Sequence, residues 1–211
     1  MISIVNYELG NVKSIANAFN LLGEDTEITD DPKKLSESEA IILPGVGSFS
    51  KGMDNLKEKG LLDVLKNEVF EKGKPYLGIC LGLEFLAEKS LEGGISDGLG
   101  WIKGTIEKIE PKDLNLKVPH MGWDDSKILS KGGLYQGIEE PSFYFLHSYY
   151  FKVDKSEKNV ITSICDYGGI PITASIQKDN IYAVQFHPEK SQSEGIKLLK
   201  NFLDDIRDVK K

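Results

Sequence analysis

Short apolar runs alternate with amphipathic segments through the first half of the chain. An apolar run at residues 2–5 predicts a buried strand, and the helical spacing of apolar side chains over residues 12–22 predicts a helix that ends at Gly23. Further apolar runs predict strands over residues 40–43 and 75–80, and further helical patterns predict helices over 61–70 and 81–89. Such alternation over short links is typical of a parallel sheet covered by helices on both faces.

Strand patterns dominate the second half, which ends in an amphipathic helix predicted from about Ser193 to Val209. Gly168-Gly169 and Lys178-Asp179-Asn180 supply turns. The predicted strands cover residues 101–109, 142–151, 160–165, 172–177 and 181–186. No repeat, low-complexity tract or linker is found. We therefore predict one domain over residues 1–211, of the α/β class, with a mixed, mostly parallel sheet flanked by helices and an added antiparallel β portion.

Composition narrows the classes of function. The net charge of -7 argues against non-specific binding to nucleic acid or to anionic membranes. The two cysteines have no metal-site spacing, so neither a metal nor another cofactor is expected. The N-terminus lacks the features of a signal peptide, and no apolar run reaches the roughly 18 residues of a membrane span. We expect a cytoplasmic protein.

The segment Gly78-Ile79-Cys80-Leu81-Gly82 carries the first candidate for chemistry. A buried strand ends at the cysteine, a helix follows, and the flanking glycines permit a sharp turn that would lift the side chain out at the edge of the sheet. The helix N-terminus would stabilise a thiolate, and the Leu81 N–H would face an oxyanion formed at Cys80. Alternatively, Cys80 is a small packed side chain, an interpretation that also fits Cys165.

A nucleophilic cysteine needs a base, and the chain has three histidines, at positions 120, 147 and 187. A predicted strand delivers His187 to the same sheet edge, Pro188 stiffens the chain beyond it, and Glu189 can orient the imidazole. The alternative is a His-Pro pair that ends a strand, followed by a solvated carboxylate.

Two glycines follow the strand that ends near Pro44. In Pro44-Gly45-Val46-Gly47 they allow a peptide plane to turn an N–H toward the nucleophile, which would complete an oxyanion hole at Val46 and Leu81. A phosphate-binding loop is the competing interpretation, but neither a GxGxxG pattern nor a Gly-Lys-Ser/Thr ending is present.

Together these segments resemble the class I, or triad, glutamine amidotransferases over essentially the whole chain. Residues 78–82 resemble the nucleophile elbow of that family, and His187-Pro188-Glu189 resembles its base and orienting carboxylate. Within the family, the resemblance is greatest to the glutaminase subunits of imidazole glycerol phosphate synthases. The segments that carry it are residues 6–11, 44–49, 118–123, 145–150 and 186–192.

The resemblance implies a glutaminase that passes ammonia to a (β/α)8-barrel cyclase in histidine biosynthesis. It implies catalytic residues Cys80, His187 and Glu189, with a switchable oxyanion loop at Val46. The substrate glutamine would meet Gly47, Glu84, His147, Ser148 and Tyr149. Asn11, His120 and Trp123 would lie at the partner interface, although His120 could equally be a satisfied structural histidine and Trp123 a core aromatic.

Two positions depart from the family pattern. Glu84 and Asp124 stand where the family usually has glutamine and asparagine, so each exchanges an amide for a carboxylate. Glu84 could meet the ammonium group of glutamine, and it could disfavour a nearby thiolate by repulsion. These changes leave open a paralogous subunit that feeds a sugar-amidating synthase in surface-polysaccharide synthesis. A non-catalytic scaffold and a cysteine peptidase of similar fold are more distant alternatives.

Overall fold

The computed structural model describes residues 1–113 and 115–208. Its helices are α1 (Val12–Leu21), α2 (Pro32–Glu37), α3 (Phe49–Glu58), α4 (Leu61–Leu65), which a π-helical segment (Lys66–Glu71) extends, α5 (Leu81–Glu84) and α6 (Gln192–Asp208). The strands are β1 (Ile2–Val5), β2 (Thr26–Thr29), β3 (Ile41–Gly45), β4 (Tyr76–Cys80), β5 (Lys89–Ser90), β6 (Ser96–Asp97), β7 (Gly104–Lys108), β8 (His120–Asp125), β9 (Lys127–Ile128), β10 (Ser142–His147), β11 (Tyr149–Val153), β12 (Ile161–Tyr167), β13 (Ile170–Lys178) and β14 (Ile181–Val184).

The main sheet has eight strands in the order β2-β1-β3-β4-β14-β13-β12-β9. Its first five members run parallel, and the last three continue the sheet through antiparallel pairing. Strands β8 and β10 form a separate antiparallel ribbon, and β11-β7-β5-β6 form a third sheet. The predicted fold class, a mixed and mostly parallel α/β sheet with an antiparallel addition, is confirmed.

Burial explains why the parallel strands occupy the centre. Every residue of β1, β3, β4 and β14 is buried, which requires cover on both faces of the sheet. One apolar cluster joins the sheet to α1 and α6 through Phe19 and Phe202, and a second joins it to α3 and α4 through Leu56 and Leu65. The carboxyl ends of the parallel strands are therefore held rigidly from both sides.

The helix predicted over residues 81–89 is wrong in length, because α5 ends at Glu84. The N–H groups of Leu86 and Ala87 bond three residues back, a tighter turn than the α-helix, and the N–H of Glu88 bonds the carbonyl of Gly104. The buried apolar residues after Glu84 therefore lead the chain into the third sheet instead of forming a helical stripe.

The predicted strand over residues 142–151 is also wrong, since the chain leaves one sheet for another at Ser148. Strand β10 pairs with β8, whereas β11 pairs with β7. The predicted end of the last helix at Val209 lies outside the described residues. Within residues 1–113 and 115–208, none of the helices combines the length and apolar character needed to cross a membrane.

Candidate active site

Three segments meet where the central parallel strands end. Strand β4 lies between β3 and β14, and the register pairs Gly45 with Cys80 and Val184 with Ile79. The residues that follow each strand therefore share one edge of the sheet. This topology brings the Val46 loop, the Cys80 turn and the His187 segment together, as the sequence predicted.

Cys80 has the sharp turn geometry expected of a nucleophile. Its φ of 55° and ψ of −107° lie outside the regions that L-residues usually adopt. A Cβ on Gly78 would come within 2.5 Å of the Gly82 carbonyl oxygen, and a Cβ on Gly82 within 1.8 Å of the Leu43 carbonyl oxygen. The two glycines are thus required by close backbone contact, and they hold Cys80 in its strained conformation.

His187 and Glu189 form a buried pair. His187 Nδ1 lies 2.9 Å from Glu189 Oε1, and the two side chains are 4% and 1% exposed. Burial alone would lower the pKa of His187, but the charges of the Cys80 thiolate and the Glu189 carboxylate outweigh it and raise that pKa. Nε2 of His187, the nitrogen left for proton exchange, is buried and makes no hydrogen bond within the described part of the chain.

Ser191 fixes the backbone that carries this histidine. Its hydroxyl donates to the His187 carbonyl at 2.7 Å and accepts from the Tyr144 N–H at 2.9 Å. The His187 N–H in turn donates to the Tyr144 carbonyl at 2.8 Å. These bonds tie the histidine to β10, whose far end reaches the cavity beside Cys80.

A cavity of about 380 Å³ opens in front of Cys80. The sequence predicted most of its lining, and Glu92, Pro119 and Leu146 are additions that it did not indicate. The predicted residues that line it are Val46, Gly47, Cys80, Leu81, Glu84, His147, Ser148 and Tyr149. Val46 and Leu81 follow paired strand ends, and Leu81 opens α5, so its N–H has no acceptor within that helix.

Gln185 also belongs to the site, although no role was predicted for it from the sequence. Its side chain is fully buried, and its Nε2 donates to Glu84 Oε1 at 3.0 Å and lies 3.8 Å from Cys80 Sγ. A signal was available, because Gln185 stands two residues before His187 on a chain leaving a strand. Residues at that spacing share one side of an extended segment.

Glu84 is 5% exposed, and burial raises its pKa to about 8, against the opposing hydrogen bond from Gln185. A carboxyl with this pKa is mostly protonated at neutral pH. The repulsion between Glu84 and a Cys80 thiolate that the sequence suggested is therefore largely removed by the proton on Glu84.

His147 lines the cavity, but both of its ring nitrogens already have partners. Nδ1 lies 2.7 Å from the Tyr149 carbonyl oxygen, and Nε2 lies 3.1 Å from His120 Nδ1. Burial lowers the pKa of His147 to about 3, so the ring is neutral. His147 is therefore a wall of the cavity, and His187 is the histidine in position to act as a base.

The interface prediction for His120 requires correction. Its side chain is 3% exposed and stacks between the rings of Phe145 and Tyr167, so it lies behind the β8–β10 ribbon. Trp123 is 47% exposed on the outer face of that ribbon, and Asn11 is exposed where it caps α1. One group of potential metal ligands occurs within the described residues, formed by His120, Asp124 and Cys165.

Comparisons with known proteins agree with this geometry. The family profile "Glutamine amidotransferase class-I" matches residues 3–206. Imidazole glycerol phosphate synthase subunit HisH 1 of Campylobacter jejuni is 48% identical over 96% of this chain and 99% of its own length. Subunit HisH of Methanothermobacter thermautotrophicus is 44% identical over 98% of this chain and all of its own.

Solved structures share the fold at lower identity. A crystal structure of a glutamine amidotransferase superposes with a TM-score of 0.74 at 19% identity, covering 98% of this chain and 100% of that one. PurLQS from Thermotoga maritima gives a TM-score of 0.72 at 18% identity, covering 97% and 98%. With its elbow cysteine and its buried His-Glu pair at the ends of the parallel strands, the chain belongs to the class-I glutamine amidotransferase family.

Proposed function

We propose that the chain, as a single amidotransferase domain, hydrolyses glutamine to glutamate and ammonia through a cysteine thioester. The observation that carries the proposal is that Cys80 lines a cavity of about 380 Å³, while the buried His187–Glu189 pair follows the adjacent strand β14. A cavity of this size suits a free amino acid better than the extended chain that a peptidase must bind.

The first half of the reaction forms the thioester. The Cys80 thiolate attacks the side-chain amide carbon of glutamine, and the carbonyl oxygen becomes an oxyanion. In this proposal the N–H groups of Leu81 and Val46 bind that oxyanion, and a turn of the Val46 peptide directs its N–H into the site. His187, held protonated by its charged neighbours, gives its proton to the amide nitrogen, and the C–N bond breaks to release ammonia.

The second half returns the enzyme to its starting state. Neutral His187 takes a proton from water, whose oxygen attacks the thioester carbon, and the C–S bond breaks to give glutamate and the Cys80 thiolate. Glu189 stabilises the imidazolium in both halves and keeps Nε2 directed toward the sulfur. Catalytic hydrogen bonds are often longer before substrate binds. We expect the hydrogen bond between His187 Nε2 and Cys80 Sγ to form when glutamine is bound.

Substrate recognition is assigned to the other residues of the cavity. The backbone groups of Gly47, Ser148 and Tyr149 can bind the amino-acid end of glutamine, with His147 as a neutral wall. Glu84 can accept a hydrogen bond from the substrate ammonium, and a nearby cation would favour ionisation of its carboxyl.

We further propose that a (β/α)8-barrel cyclase of histidine biosynthesis receives the ammonia, in the cytoplasm. Similarity to HisH subunits over nearly the full length supports this. Exposed apolar side chains also lie on the β8–β10 ribbon next to the cavity. Met121 and Trp123 are 61% and 47% exposed, and their partners across the ribbon are Leu146, which lines the cavity, and Tyr144. Asn11 follows Gly10, which packs against Gly45 beside the oxyanion loop.

The alternative recipient is a synthase that amidates a sugar for surface polysaccharide. It is favoured by Glu84 and Asp124, the two carboxylates that replace the amides usual in the family. The two recipients share the glutaminase chemistry, so only the identity of the activating partner separates them.

The test is ammonia release from glutamine by the purified chain, alone and with a candidate cyclase and its ribonucleotide. Cys80→Ala should abolish release while retaining partner binding, and Cys165→Ala, which removes the other thiol, should retain release. Glutamine turnover by Cys80→Ala would refute the triad. Activation by a sugar-amidating synthase, with none by the histidine cyclase, would refute the pathway and leave the glutaminase intact.

A further inference from the structure

The group formed by His120, Asp124 and Cys165 lies outside the glutaminase chemistry. The first two residues belong to the β8–β10 ribbon and the third to β12 of the main sheet. Each residue offers one ligand atom, and these atoms lie within 4.8 Å of one another. His120 and Cys165 are buried, and the Asp124 side chain is 36% exposed, so the group opens to solvent on the side of Asp124.

Hydrogen bonding fixes which nitrogen of His120 faces this group. A carbonyl oxygen only accepts, so His147 Nδ1, 2.7 Å from the Tyr149 oxygen, carries the hydrogen of that neutral ring. His147 Nε2 is then an acceptor, and His120 Nδ1, 3.1 Å away, must donate to it. A neutral His120 consequently presents the lone pair of its Nε2 to Asp124.

Two acceptors therefore face each other. His120 Nε2 is 3.3 Å from Asp124 Oδ2, and a carboxylate has no hydrogen to donate. Oδ1 of Asp124 already accepts the Asp125 N–H at 2.8 Å. The asparagine usual in the family could close this contact by donating its amide N–H to Nε2, whereas aspartate needs a positive charge between the two atoms.

The cation can be a proton or a metal ion, and the surroundings favour the metal. Cys165 supplies a sulfur to the same space, and one nitrogen, one oxygen and one sulfur form a ligand set that suits zinc. The hydrogen bond from His120 Nδ1 to His147 orients the ring and leaves Nε2 free to bind a metal ion.

We propose that His120 Nε2, Asp124 and Cys165 bind one Zn²⁺ ion, with water in the fourth position. Tetrahedral coordination requires ligand atoms about 3.3–3.8 Å apart, so the three ligand atoms, now within 4.8 Å of one another, draw closer together when the ion binds. Cys165 binds as the thiolate, and its proton passes to solvent. The ion would tie the ribbon to the main sheet and hold His120 against His147 on the cavity wall.

The test is titration of the reduced, metal-free full-length chain with Co²⁺ and then Zn²⁺. We expect one Co²⁺ per chain, with a thiolate-to-cobalt charge-transfer band that Zn²⁺ removes. At a zinc concentration 100-fold above Kd, the Tm should rise by about 5–10 °C. Cys80→Ala should retain the band, which excludes the nucleophile as its source.

Variants at two of the three proposed ligands decide the assignment. Cys165→Ser should lose the charge-transfer band. Asp124→Asn, which restores the residue usual in the family and therefore folds safely, should weaken binding by at least about tenfold. The matched control Asp125→Asn removes an equal charge from the next, exposed residue and should bind as wild type. The proposal would be overturned if the wild type does not bind cobalt, or if wild type and Asp124→Asn bind zinc with equal affinity. A proton between the side chains of His120 and Asp124 would then account for their contact.

Discussion

His187 Nδ1 and Glu189 Oε1 lie 2.9 Å apart across a single proline, with both side chains almost fully withdrawn from solvent. The pair is local in sequence, but its charge matters because burial leaves little water to stabilise either ion. Glu189 therefore orients the proposed base and adds to the effect of Cys80 in raising the pKa of that base.

Glu189→Gln should keep the shape of this pair and remove its charge. We expect kcat for glutamine hydrolysis to fall by about 100- to 10,000-fold, because the imidazolium formed during thioester formation loses its stabilising neighbour. Alkylation of Cys80 by iodoacetamide should also slow. Steady-state kinetics and mass spectrometry of the alkylated chain measure the two effects, and a kcat within threefold of wild type would contradict the role assigned to Glu189.

Gly82→Ala should remove activity by displacing the nucleophile turn. The added Cβ would meet the Leu43 carbonyl oxygen at 1.8 Å, and backbone cannot move aside cheaply. We expect a loss of about 3 kcal/mol or more in unfolding free energy, measured by urea denaturation. Gly23→Ala is the control, since its φ of +78° is strained for alanine but its Cβ meets nothing. Gly23→Ala should lower the free energy of unfolding by about 1–2 kcal/mol and retain glutamine turnover.

Glu84→Gln should change how stability depends on pH. The pKa of Glu84 rises from 4.5 to about 8 on folding, so between these values the folded chain holds a proton that unfolding releases. Stability from this group is thus lost as pH rises through that window. A glutamine side chain at position 84 does not titrate, so the variant lacks this loss of stability. Between pH 6 and pH 8, its free energy of unfolding should rise by about 1–3 kcal/mol relative to that of wild type.

Urea denaturation at the two pH values measures this difference. Glu58→Gln, at an exposed position of α3, is the matched control and should follow wild type. Parallel pH profiles for wild type and Glu84→Gln would show that the Glu84 carboxyl is not held protonated by its burial.

Ser191→Ala should loosen the histidine segment. The His187 carbonyl keeps a second donor, the Lys190 N–H at 3.0 Å, but the Tyr144 N–H loses its acceptor. An unpaired N–H costs about 1–3 kcal/mol when fully buried, and this one is partly buried, so the midpoint of urea unfolding should fall by an amount up to that size. Ser36→Ala, at an exposed position of α2, should change stability by less than about 0.5 kcal/mol. If Ser191→Ala and Ser36→Ala are equally stable, the hydrogen bonds of the Ser191 hydroxyl do not stabilise the His187 segment.

Local patterns in the sequence were enough for the fully buried parallel strands and for the candidate triad, but they did not indicate the edge strand β2 or helices α2 and α3. Buried strands read as apolar runs because both faces are covered, and the glycine frame around Cys80 is a local steric requirement. His187 and Glu189 are near neighbours along the chain, so their pairing also followed from sequence.

Contacts between distant segments were decided only by the tertiary structure. The spacing of the apolar residues after Glu84 fits a helix, but the backbone of this segment forms hydrogen bonds with the third sheet instead. The change of sheet at Ser148 and the burial of His120 leave no periodic trace, because each depends on which strands become neighbours. The same is true of Asp124 and Cys165, which the fold brings together from two sheets. Sequence determined the residues available for chemistry, and packing determined which of them meet.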